Sequence, residues 1–104
     1  DLRKKSSTFG MHCYAYLTEQ NKYQFWIPTG FAHGFLAIAK DTEVQYKVQG
    51  PRDINCERSI KWDDSQLAIE WPLLENGINE IILSDKDANA SSFSEIIESG
   101  DYFI

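Results

Sequence analysis

Only two of the 104 residues are cysteine and only two are histidine. Cys13 and Cys56 stand far apart and form no C-x-x-C pair, so neither a disulfide framework nor a thiolate metal site is expected. A metal-dependent oxygenase centre needs two or three clustered His or Glu ligands, and of that set only His33 is in view. No apolar run approaches the length of a membrane span, and no charged, apolar, small-residue opening marks a signal peptide. A soluble, intracellular (cytoplasmic) protein with no membrane partner is the expectation. Basic residues are in deficit, ten against sixteen acidic, for a formal charge of −6. That field repels a phosphate backbone, so nucleic acid is not an expected partner. A small anion held by a few local cations remains allowed. Methionine is absent from position 1: the chain starts at Asp1, close to strand-like sequence, as expected of a processed chain or part of a longer one.

What is present is globular in composition, 42% apolar and 13% aromatic, and its length bounds it to a single domain over residues 1–104 with a small core. The pattern centres on Phe25 to Ala39 and the run that follows to Val48. Pro28 fixes its own φ and pushes Ile27 extended, and Gly30 permits a turn that a Cβ would resist. Beyond the turn, alternation puts Phe31, His33 and Phe35 on one strand face and Ala32, Gly34, Leu36 and Ile38 on the other. In the next run Thr42, Val44, Tyr46 and Val48 share a side, which points Tyr46 inward and Lys47 outward. His33 and Tyr46 are thus candidates to line one pocket, against the plainer reading of a hydrogen-bonded core histidine and an ordinary strand tyrosine.

Along the rest of the chain, Asp1 to Thr8 is polar and basic and reads as a solvated turn. Phe9 to Thr18 carries apolar residues on both faces and reads as a strand buried on both sides or meeting a second chain; His12 within it has no motif and is taken as structural. Residues 49–53 form a turn cluster, Ile54 to Trp62 suits a short strand, and Trp62 to Pro72 a loop with apolar anchors. Asn76-Gly77 is a further turn. Ser92 followed by Glu95 fits a capping box, Phe93, Ile96 and Ile97 make one stripe, and Gly100 stops this one good helix. Several turn-separated strands and a single helix predict an all-β sandwich or barrel.

Pro28-Thr-Gly-Phe-Ala-His33 fits the Pro-x-Gly-x-x-His spacing of the second motif of cupin-type β-barrels. Together with Asp1 to Gly10, Trp26 to Phe35, Tyr46-Lys47, Glu57 to Asp64, Ile69-Glu-Trp-Pro72 and Leu83 to Ala88, in that order, it makes nearly the whole chain resemble the dTDP-4-dehydrorhamnose 3,5-epimerases. The resemblance implies an all-β, cupin-like jelly-roll barrel, incomplete because its N-terminal strands are missing, with one short C-terminal helix. It also implies a homodimer formed through the sheets, which exposed sheet edges would favour.

The activity it implies is inversion of carbons 3 and 5 of a dTDP-4-keto-6-deoxy sugar, with no metal or organic cofactor. A ketone acidifies its neighbouring C–H groups; a base removes one hydrogen, and an acid on the opposite face returns a proton. By resemblance Tyr46 is that acid, His33 contacts the sugar near the keto oxygen, and Glu57 and Lys86 bind the nucleotide-sugar. Asp87 matches the carboxylate that pairs with the base histidine. In the family that base lies in an Arg-Gly-Leu-His-type segment ahead of the equivalent of Asp1. Neither His12 nor His33 takes its place, so this chain alone is expected to be a poor catalyst. The family's pair of tyrosines after Tyr46-Lys47, one of them stacking on thymine, is replaced by Gly50-Pro51-Arg52, and the Leu74 to Glu80 insert is longer than the family pattern. The alternative reading is a non-catalytic cupin module for sugar binding or dimerisation.

Overall fold

The alternating segments do not assemble into a sheet. In the computed structural model, which describes all of residues 1–104, residues 31–39 and 42–48 carry no strand, and the only β-type pairings are two isolated bridges, Arg3 with Phe103 and Ile60 with Ser91. The expected jelly-roll barrel is therefore absent. The regular elements are two 3₁₀ turns, Ile54–Cys56 and Leu74–Asn76, and two α-helices, α1 over Asp85–Ala88 and α2 over Phe93–Ser99.

Alternation decides which face a side chain takes once a partner strand lies alongside; it does not supply the partner. The backbone of residues 31–48 makes no backbone–backbone hydrogen bond, and the whole chain makes 29, far below the roughly 70 expected at about one hydrogen bond per residue with two-thirds of them in the backbone. A radius of gyration of 14.7 Å exceeds the roughly 13 Å of a compact 100-residue domain. Only four residues are buried: Gly30, Asp64, Ala90 and Ile96. Phe9 to Thr18, expected as a strand buried on both sides or meeting a second chain, is not a strand and leaves Met11, Tyr14, Tyr16 and Leu17 exposed in the single chain. Ile54 to Trp62, expected as a strand, forms the first 3₁₀ turn and then a single bridge at Ile60.

Two local clusters hold the chain. At the N-terminus the Asp1 carboxylate, whose side chain is 1% exposed, accepts hydrogen bonds from the Arg3 amide and guanidinium, Ser6 Oγ and Thr8 Oγ1. The segment expected as a simple solvated turn is thus knotted on its first residue. Leu2 N–H donates to Gly30 C=O at 2.9 Å, and Phe103 N–H donates to Leu2 C=O at 2.8 Å. The turn at 28–30 and the C-terminus are thereby tied to the same knot. Gly30 has φ +96°, and a Cβ there would lie 2.6 Å from Arg3 Cγ, so this turn needs glycine for both conformation and space.

The second cluster is built on α2. Ser92 Oγ accepts from Glu95 N–H while the Glu95 carboxylate accepts from Ser92 N–H, and Gly100 ends the helix in the left-handed conformation, the arrangement that residues 92, 95 and 100 predict. Asp64, 8% exposed, accepts from the amides of Gln66, Leu67 and Phe93 at 2.9, 3.0 and 2.8 Å. One carboxylate therefore closes the 64–67 turn and caps the first residue of α2, where the helix dipole favours negative charge. The Phe93 amide, followed by burial in opposition and then the Leu67 and Gln66 amides, leaves Asp64 below the usual carboxylate range. Trp71 Nε1 donates to Trp62 C=O at 2.7 Å, closing the 62–72 loop over its apolar anchors. Phe9 meets Phe93 with ring centroids 5.6 Å apart, joining the two clusters.

Candidate functional site

The turn at 28–30 and the extended run to Val48 bring His33 and Tyr46 together. Their rings lie edge to face, with centroids 6.4 Å apart and planes at 63°. Both side chains are exposed, Tyr46 at 69%, so the pair forms a rim open to a ligand rather than an enclosed pocket. The phenol offers a proton, and the imidazole offers a donor or an acceptor.

Glu57 is placed by the first 3₁₀ turn. Asp53 caps that turn through Asn55 N–H, Glu57 N–H donates back to Ile54 C=O, and Arg58 Nη1 reaches the carbonyls of Asn55 and Glu57 at 2.8 and 3.0 Å. Arg58 is held from the other side by Asp101 at 2.9 Å. Lys86 is placed by α1, whose N-cap Ser84 accepts from Asp87 N–H at 3.2 Å. The ends of these separate elements meet at the Glu57 carboxylate: Arg52 Nε donates to Oε1 at 2.6 Å and Lys86 Nζ to Oε2 at 3.1 Å. Hydrogen bonds from Arg52 first, then from Lys86, lower Glu57 to about 2, so it stays ionised throughout the neutral range. In return the Glu57 hydrogen bond and charge raise Arg52 above its ordinary value, with a smaller contribution from the Tyr46 phenol.

Asp87 follows Lys86 directly on α1, but its carboxylate makes no hydrogen bond to these groups. It faces an open cleft of about 520 Å³ lined also by Lys61, Trp62, Asp63 and Leu83, with no histidine among the lining residues. No three His, Cys, Asp or Glu side chains converge in a way that would hold a metal ion, and Cys13 and Cys56 are both free thiols. No helix is long and apolar enough to cross a membrane. Sequence reasoning assigned no part to Arg52, treating it as one of three residues replacing the tyrosine pair. The signal that finds it is its position five residues before Glu57 across a Pro-Arg-Asp turn.

The family model described as dTDP-4-dehydrorhamnose 3,5-epimerase matches residues 1–95. The chain belongs to that family. A protein of that name from Shigella flexneri is 41% identical over 104 residues, which is 100% of this chain and 52% of that protein. Another from Pseudomonas aeruginosa is 40% identical over 95 residues, 91% of this chain and 50% of that protein. A third, from Sinorhizobium fredii, is 38% identical over 102 residues, 98% of this chain and 50% of that protein. The chain therefore spans about half the length of the curated relatives it matches. No solved structure matches it. The family's match to residues 1–95 covers every residue singled out above, from His33 to Asp87.

Proposed function

We propose that the protein is a dTDP-4-dehydrorhamnose 3,5-epimerase acting on a dTDP-4-keto-6-deoxy sugar, and that Tyr46 is its general acid. The observation that carries this reading is the edge-to-face meeting of Tyr46 with His33 in a chain of this family. The phenol protonates the enolate carbon on the face opposite to proton removal, which inverts the centre. His33 donates to the keto oxygen, whose charge grows as the enolate forms. Glu57 and Lys86 hold the nucleotide end. Asp87 orients and charge-stabilises a base histidine that is neither His12 nor His33. The ketone itself acidifies the C–H bond, so the step needs neither metal nor organic cofactor.

Two copies associate through the exposed aromatic segments, which include Tyr14, Tyr23, Phe25, Trp26 and Phe35; large apolar side chains left open to solvent are what association covers. The setting is cytoplasmic, in keeping with two unpaired cysteines in a reducing compartment. Product analysis in heavy water, on the protein encoded by its own gene, tests the catalytic reading: deuterium at the inverted carbon supports it, and no inversion of a 4-keto sugar refutes it.

A further inference from the structure

Arg52 is the one cation of the cluster with no part in the reading so far, and it is the best presented. Its side chain is 75% exposed, against 30% for Glu57 and 58% for Lys86. Its Nε is spent on Glu57 at 2.6 Å, while neither Nη group makes a hydrogen bond within the chain. The carboxylate therefore fixes the plane of the guanidinium by one edge and leaves the other edge facing solvent with its N–H groups free. That is the fork geometry that grips phosphate oxygens in pairs.

Arg52, Glu57 and Lys86 together carry one net positive charge on a chain of −6, with Asp85 and Asp87 on either side of Lys86 in α1. The closest acid in sequence, Asp53, is turned away: its Oδ1 accepts from Asn55 N–H at 3.0 Å and its Oδ2 from Cys56 Sγ at 3.4 Å. The Asp101 carboxylate is occupied by Arg58 and Ser99 Oγ, each at 2.9 Å. Ion pairs this exposed add little to stability, so folding alone gives no reason to gather three charged side chains from two elements and a turn.

We infer that Arg52 grips the diphosphate of the nucleotide-sugar through its free guanidinium edge, with Glu57 as the strut that aims it. The inference rests on the proposed function for the identity of the ligand. It makes Arg52 a substrate-positioning residue whose contribution depends on phosphate and not on the base.

Calorimetric titration with thymidine diphosphate and with thymidine, on the wild-type protein and Arg52→Gln, tests it. Loss of a charge-assisted pair of hydrogen bonds predicts a Kd for thymidine diphosphate raised about tenfold to a hundredfold, with thymidine binding and the melting temperature unchanged. Arg52→Lys, a point charge without the fork, is expected to recover part of the affinity. Equal binding of thymidine diphosphate by wild type and Arg52→Gln would overturn the inference, as would an equal loss for thymidine, or no affinity for thymidine diphosphate in the wild type. The two proposals fail separately: a protein that inverts the sugar but binds independently of Arg52 refutes only this one, and Arg52-dependent binding without inversion refutes only the catalytic reading.

Discussion

Removing the Asp64 carboxylate should unfasten the C-terminal half of the molecule. Its two oxygens receive three amides, from Gln66, Leu67 and Phe93, at 2.8 to 3.0 Å, and the residue is 8% exposed. A hydrogen bond to a charged group contributes about 1.5–3 kcal/mol net, so the three cannot simply add within the ~5–15 kcal/mol that stabilises a small domain. In Asp64→Ala, water reaches part of the opened turn, and the expected loss is about 3 kcal/mol. In Asp64→Asn the carbonyl oxygen keeps the Gln66 and Leu67 amides, but an NH₂ faces Phe93 N–H. That single mismatch should cost about 2 kcal/mol. Urea unfolding followed by tryptophan fluorescence measures both, because Trp62 and Trp71 close the loop that Asp64 anchors. The pH dependence gives a second reading. Asp64 is depressed in the folded state, so its contribution is complete above the unfolded-state value and disappears as pH falls through the folded-state one. Wild type should therefore lose stability on the acid side of the ordinary carboxylate range, and Asp64→Asn should show a flatter acid limb. Unfolding free energies within about 0.5 kcal/mol of wild type for both variants would refute the argument, since that is the scatter of neutral surface substitutions.

Two further outcomes follow from the fold. Gly30→Ala combines a left-handed φ of +96° with a Cβ 2.6 Å from Arg3 Cγ, so it should lower stability by about 2 kcal/mol or more and loosen the N-terminal knot; thermal unfolding checks this, and an unchanged melting temperature would count against it. Sedimentation at micromolar concentration should give twice the 12.0 kDa chain mass, and a monomer at all concentrations would remove the exposed aromatic segments as an association surface.

How far the sequence could be read depended on the range of the interactions. The Ser92–Glu95 box and the Gly100 stop lie within one helix, so residue types at fixed short spacings specify them, and the helix forms where they say. The turn at Pro28–Gly30 was legible for the same reason. The rings of His33 and Tyr46 do meet, but Tyr46, expected to point inward, is 69% exposed, and no property of residues 31–48 supplies a hydrogen-bonding neighbour. The barrel inferred from them does not form. Asp64 was invisible as a hub because its partner Phe93 is 29 residues away. Glu57 and Lys86, also 29 residues apart, stood out only through the family resemblance. Arg52 needed the folded turn to show that its Nε reaches Glu57.

The central claim is that Tyr46 delivers the inverting proton. The decisive measurement incubates the protein encoded by its own gene, and its Tyr46→Phe variant, with dTDP-4-keto-6-deoxyglucose in heavy water, following deuterium and configuration at carbons 3 and 5 together. Wild type should place deuterium at the carbon it inverts. Without its acid the variant should invert about 10²–10⁴-fold more slowly, while label that enters from the base's own face, with configuration retained, persists. Inversion by Tyr46→Phe at the wild-type rate would contradict the account.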